Sequence, residues 1–176
     1  MLGSTLAPLL RTSASVLVHG YQAMADVRAD LTDAFQARAL LDSVQPSAIV
    51  NLAGNTNVDD CEREPNQAYR LNVRIVENLV SWMSQQDSIP ILVHVSTDQI
   101  YDGEGPHQEH DVTLSNTYAL TKYAGELAAL RVPATVLRTN FFGPSRCAGR
   151  VSFTDWLLIG LHSCLLYTSD AADDTP

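Results

Sequence analysis

"IPILVHVS", residues 89–96, is a nearly continuous apolar run rich in β-branched side chains. It does not alternate apolar with polar, so it predicts a strand buried on both faces. Upstream, "NQAYRLNVRIVENLVSWMSQQ", residues 66–86, carries Leu71, Val73, Ile75, Val76, Leu79, Val80 and Met83. That broad stripe predicts one long helix after Pro65. Before it, "PSAIVNLAG", residues 46–54, is strand-like, and "DAFQARALLDSV", residues 33–44, has helical spacing. "VLVHG", residues 16–20, predicts a short buried strand. Downstream of the opening stretch, a polar loop holds Gly103, Gly105 and Pro106, helix resumes near Tyr118, and "ATVLRT", residues 134–139, is a further strand. Strand and helix alternate, which is the pattern of a doubly wound α/β fold, a parallel sheet covered on both faces.

Composition narrows the function classes. The chain has 176 residues, 45% of them hydrophobic and 18% charged, enough for one domain with a core. The net charge of −9 argues against a nucleic-acid or anionic-membrane partner. Cys61, Cys147 and Cys164 show no zinc-type spacing and suit a reducing compartment. No stretch reaches the length of a membrane span, and no secretory signal opens the chain. Together these predict a cytoplasmic location.

In doubly wound sheets ligands bind beyond the carboxyl ends of the strands. The segments there are "NLAGNT" (51–56), "STDQIYDG" (96–103) and "RTNFFGP" (138–144). The helix that follows the second of them, in "NTYALTKYAGEL" (116–127), contains the only lysine of the chain; the ten other Lys/Arg residues are arginine. Lys122 lies four residues after Tyr118, on the same helical face. An ammonium there is expected to favour the phenolate and lower the Tyr118 pKa. The pair can then serve as a general acid or base in a carbonyl/alcohol interconversion. Thr97, directly after a strand, could bond the substrate oxygen.

These blocks resemble the extended short-chain dehydrogenase/reductases that act on nucleotide-sugars, and among them most the dTDP-4-dehydrorhamnose reductases. The resemblance rests on "ADLTD" (29–33), "NLAGNTNVDDCE" (51–62), "LNV" (71–73), "VSTDQIYDGEGPHQE" (95–109), "NTYALTKYAGE" (116–126) and "LRTNFFGP" (137–144). It implies a Rossmann-like domain over residues 1–143, the start of a substrate-binding region over 144–162, and Thr97, Tyr118 and Lys122 as the catalytic set. Tyr118 would protonate the sugar C4 carbonyl oxygen while NADPH or NADH delivers hydride to C4. Asp30 and Leu31 would contact the adenine. Ala53 and Gly54 would let the backbone pass close to the cofactor. Asn72 would organise the site through water, and Ser96 and Thr139 would line the nicotinamide side. The implied partner is a nucleotide-sugar substrate; a homodimer is one option for the full-length parent, whose oligomeric state the sequence leaves open.

The sequence departs from the family pattern at both ends. "MLGSTLAPLL" matches the tail of a GxxGxxG turn, with Gly3 as its last glycine and residues 3–11 as the first helix; the first strand and two glycines have no counterpart. The match stops at "SFTDWLLIGLH", short of most of the substrate lobe. Residues 163–176, "SCLLYTSDAADDTP", resemble translated adapter sequence and are read as a non-native tail. The isolated chain is therefore expected to bind NAD(P)H weakly and to be inactive and prone to aggregate.

Bland readings apply elsewhere. "HQEHD" (107–111) is expected to be a solvated loop with no metal, and "VDDCERE" (58–64) a solvated helix start. His94 is expected to be a satisfied core histidine, Trp82 and Met83 core residues, and Phe141 and Phe142 packing residues. After the second strand, "VHGYQAM" (18–24) offers neither an acid for a ribose hydroxyl nor an arginine for a 2′-phosphate, which leaves the choice between NAD and NADP open. Two other functions compete with the reductase. One is a related NAD-dependent epimerase or dehydratase, although Gln99 after Thr97 and Asp98 lacks the acidic pair of a dehydratase. The other is a non-catalytic regulatory subunit like that of methionine adenosyltransferase.

Overall fold

Three strands, β1 (Ala48–Asn51), β2 (Ile91–Thr97) and β3 (Ala134–Thr139), form the sheet in the computed structural model, which describes residues 2–20, 25–145 and 151–162. They run parallel in the order β1-β2-β3, with Ala48 opposite Ile91 and Leu92 opposite Ala134. The helices are α1 (Leu2–Leu10), α2 (Ala34–Val44), α3 (Val58–Arg63), α4 (Pro65–Tyr69), α5 (Ile75–Met83), α6 (Thr117–Ala129) and α7 (Phe153–His162). Each connection between neighbouring strands contains helix, as parallel pairing requires. No helix among the described residues is long and apolar enough to cross a membrane.

Local chemistry sets the helix ends. Asp33, Asn57 and Asn116 each accept a backbone N–H of the first turn of α2, α3 and α6. Pro65 opens α4, where its missing N–H costs nothing. The predicted long helix runs without interruption from Pro65 to Met83, but not as α-helix throughout. A five-residue π turn, Arg70–Arg74, separates α4 from α5. Its extra residue shifts the helical phase, which is why the apolar stripe looked too broad for one face.

The core lies between the sheet and α5 and α6. Val76, Leu79, Val80, Trp82 and Met83 of α5 pack with Leu92 of β2, Ala129 of α6 and Leu41 of α2. Trp82 also donates to Asp42 Oδ1 at 2.7 Å. Burial of each such side chain contributes roughly 1.5–3 kcal/mol.

Three expectations fail here. Residues 16–20 do not form a strand of the sheet; they make one parallel bridge, His19 to Val27, and Leu17 is exposed. A strand needs a lateral ladder, and none of the described strands pairs with this segment. The parallel α/β sheet is as expected, but among the described residues it is not covered evenly on both faces. The face bearing Leu92 and His94 is buried, whereas Val50, Ile91 and Leu137 on the other face are 39%, 60% and 42% exposed. Phe141 and Phe142 are exposed, not packed.

The chain divides into two compact units, one of Leu6–Asn140 and one of Met1–Thr5 with Phe141–Pro176. In the latter, Asp155 caps the start of α7 by accepting from the Ser145 and Ser152 N–H groups at 2.8 and 2.9 Å. Residues 163–176 lie outside the described residues, as do 21–24 within the "VHGYQAM" segment.

Candidate active site

The carboxyl end of β2 and the first two turns of α6 build the site. β2 ends in Ser96 and Thr97, and the ladder sets Thr97 opposite Thr139 of β3. Thr97 Oγ1 accepts the Gln99 N–H at 3.2 Å, which turns the chain sharply out of the strand. Across from it, Asn116 caps α6, and the Glu62 carboxylate of α3 takes both the N–H (2.5 Å) and the hydroxyl (2.9 Å) of Thr117. The first turn of α6 is thereby fixed, and Tyr118 sits in it, packed against Cys61, Ala68 and Val58.

The electrostatics of Tyr118 differ from the sequence expectation. Its pKa is raised, not lowered, because burial disfavours the phenolate; a hydrogen bond from Thr97 pulls it down, and the Cys61 and Asp98 charges push it up. Lys122 does not offset this. Its Nζ donates to the Val95 carbonyl of β2 at 2.7 Å, and burial lowers its own pKa to about 8, against a raising pull from Glu126. The phenol is thus protonated at neutral pH, and the buried ammonium one turn along α6 has a depressed pKa.

Asn72, in the π turn, is buried rather than solvated. Its Nδ2 donates to Thr121 Oγ1 at 3.0 Å and its Oδ1 accepts the Asn55 N–H at 2.7 Å, so it ties the loop after β1 to α6. Gly54 lies in that loop. A Cβ there would come within 2.8 Å of Asn72 Oδ1 and 3.9 Å of Lys122 Nζ, so only glycine lets the loop run this close. Ala53 precedes it, its N–H bonded to Asn51 Oδ1 at 3.1 Å. Ser96 Oγ and Thr139 Oγ1 are buried with no hydrogen-bond partner.

The remaining sequence candidates make bonds of their own. Asp30 Oδ1 accepts from both the N–H and the hydroxyl of Thr32, which lowers the carboxyl pKa, and Leu31 O accepts from Asn78 of α5 at 2.8 Å. Their bonds run to neighbouring segments, not to the Thr97–Tyr118–Lys122 set. Gly3 lies within α1 and in the other compact unit.

His94 is only half satisfied. Asn51 Nδ2 bonds His94 Nδ1 at 3.1 Å, which leaves the proton on Nε2, and Nε2 is buried without a partner. Burial, helped by the Lys122 charge, pushes its pKa down to about 4. Sequence reasoning passed over Cys61 against Tyr118, Gly125 against Asn72, and the Glu126–Arg138 pair. The spacing Lys122–Gly125–Glu126, all on one face of α6, was the signal available.

The chain is similar to known proteins along most of its length. A family model, the RmlD substrate binding domain, matches residues 1–145. A dTDP-4-dehydrorhamnose reductase of Streptomyces griseus is 32% identical over 189 aligned residues, covering 98% of this chain and 60% of that protein. A solved structure of a hypothetical dTDP-4-dehydrorhamnose reductase from Sulfolobus tokodaii superposes with a TM-score of 0.71 at 33% identity, over 78% of this chain and 51% of that one. The Bacillus anthracis dTDP-4-dehydrorhamnose reductase in complex with NADP gives 0.56 at 28% identity, over 62% of this chain and 40% of that one. The chain therefore spans 60% or less of the length of these relatives. With the family model running from residue 1 through both strand ends of the site to residue 145, the chain belongs to the RmlD substrate-binding-domain family.

Proposed function

We propose that this chain carries the acid–base centre of an NAD(P)H-dependent reductase that acts on a nucleotide-linked 4-keto-6-deoxy sugar. The observation that carries the reading is the buried Tyr118 phenol, held protonated at neutral pH in the first turn of α6, across from the Thr97 end of β2. Reducing a carbonyl requires a proton on the oxygen, and a protonated phenol can donate it. Thr97, at the mouth of the sheet, can hold the same oxygen with its hydroxyl. Lys122 spends one N–H on Val95 O, which leaves two for vicinal ribose hydroxyls.

The residues present fit a dinucleotide. Ser96 Oγ and Thr139 Oγ1 are orphaned polar atoms at the strand ends, where polar groups of a ligand could pair with them. A bound NADPH or NADH would supply hydride. The relative solved with NADP supports the phosphorylated form. The named reductases support the sugar class.

The test uses the full-length protein that contains this sequence, with a dTDP-4-keto-6-deoxy sugar and NADPH. Tyr118→Phe should lower kcat by roughly 10²–10⁴-fold and leave NADPH affinity unchanged, since only the proton donor is lost. Near-normal turnover in the variant would sink the role given to Tyr118.

A further inference from the structure

A heavily bonded buried charge lies just behind the catalytic set. Arg138 of β3 sits opposite Ser96 in the ladder. Its Nε reaches both carboxylate oxygens of Glu126 at 3.1 Å, and Nη2 reaches Oε2 at 2.7 Å. Nη1 donates to the Tyr101 hydroxyl at 2.8 Å and the Glu109 carbonyl at 2.6 Å. The guanidinium also lies over the Tyr101 ring at 5.0 Å, and Tyr101 stacks on His107 at 5.4 Å. Glu126 is 2% exposed and the Arg138 side chain 15%.

A buried ion pair gains little stability over an apolar pair of the same volume, because desolvation cancels most of the attraction. Its placement is more informative. Glu126 lies one turn beyond Lys122 on the same face of α6, where it could serve as the counter-ion of Lys122. Both of its oxygens are taken by Arg138, and Lys122 instead directs its ammonium to Val95 O at the strand end. The same guanidinium holds the loop that follows Thr97.

We propose that Arg138 is a positioning residue for the catalytic set: it withholds Glu126 from Lys122, so that the ammonium faces the mouth of the sheet, and it fastens residues 101–109 to α6. The proposal takes the roles of Tyr118 and Lys122 from the reductase reading. The titratable groups that interact with Lys122 are Glu126 on α6 and His94 on β2; Asn72, which flanks Gly54 with it, is neutral.

Lys122 is the only lysine, so a chain grown with ¹³Cε-lysine gives one side-chain resonance. In the unsubstituted 176-residue chain that resonance should titrate near the depressed value of about 8. In Arg138→Gln, Glu126 is released to Lys122 and the midpoint should rise by about one unit or more. Hydrogen exchange should speed up over residues 101–113 and stay unchanged in β2. Glu126→Gln/Arg138→Gln, neutral on both sides, should bring the midpoint back to or below the parent value. If Arg138→Gln does not fold, Arg138→Lys should still free the loop, because an ammonium cannot span Glu126, Tyr101 and Glu109 together. An unchanged Lys122 midpoint, or exchange that rises evenly along the chain, would overturn the proposal. These readouts need neither cofactor nor sugar. A failure of turnover would count against the reductase reading alone, and an unmoved midpoint against this proposal alone.

Discussion

Two buried bases make the fold sensitive to pH in opposite ranges. Lys122 falls from 10.5 to about 8 on folding. Below pH 8 both states hold the proton, and the folded chain bears the cost of a buried ammonium, about 3 kcal/mol. Between 8 and 10.5 the unfolded chain binds more protons, so stability rises with pH across that window. Lys122→Met removes this cost and the Val95 bond, itself worth about 1 kcal/mol. The variant should therefore be more stable than the parent by about 1–2 kcal/mol at pH 7 in urea titrations, an advantage that vanishes by about pH 11. A destabilised variant at pH 7 would mean that the ammonium is not held at a cost. His94 falls from 6.5 to about 4, so the neutral ring is favoured in the fold. Its contribution is complete above pH 6.5 and is lost as pH falls toward 4, again about 3 kcal/mol in all. His94→Asn should flatten that part of the acid limb, read as the difference in urea midpoint between pH 7 and about pH 4.5. An acid limb as steep as the parent's would assign the loss to other groups.

Helix α6 and the π turn meet too closely for any side chain between them. A Cβ on Gly125 would lie 2.5 Å from the Asn72 carbonyl and 3.4 Å from His94 Nε2. The first obstacle is backbone, which cannot swing aside. Gly125→Ala should cost roughly 1–3 kcal/mol and loosen the Asn72–Thr121 bond, seen as a lower Tm and faster exchange at Asn55. A Tm equal to the parent's would show that α6 can slide without penalty. Gly125 also marks where sequence reading stopped. β2, β3, α2 and α6 were legible because each rests on a local pattern: an apolar run, a cap, an i to i+4 stripe. The Tyr–Lys spacing was legible for the same reason. The π turn was hidden because its stripe looked like a wide α-helical face. The failed strand at residues 16–20 depends on a lateral neighbour, which no local pattern records. The raised Tyr118 pKa follows from Cys61 and Ala68 closing over the ring, and the Glu126–Arg138 pair joins a helix to a strand twelve residues on.

At the scale of the molecule, the half-covered sheet governs solution behaviour. Val50, Ile91 and Leu137 form part of an apolar face open to solvent, while the net charge of −9 opposes close approach of two copies. Salt screens that repulsion. Self-association of the chain should therefore grow between about 20 mM and 500 mM salt in sedimentation velocity, and Ile91→Thr/Leu137→Thr should suppress it. A monomer at every salt concentration would show that this face is not adhesive. The compact unit Leu6–Asn140 has a different consequence. Asn51, Gly54, Asn72, Thr97, Tyr118, Lys122, Glu126, Arg138 and Thr139 all fall inside it, in one continuous stretch of sequence. A recombination joint placed outside codons 51–139 would leave this proposed acid–base centre whole. Evolution, or an engineer, could exchange what flanks it without rebuilding the set.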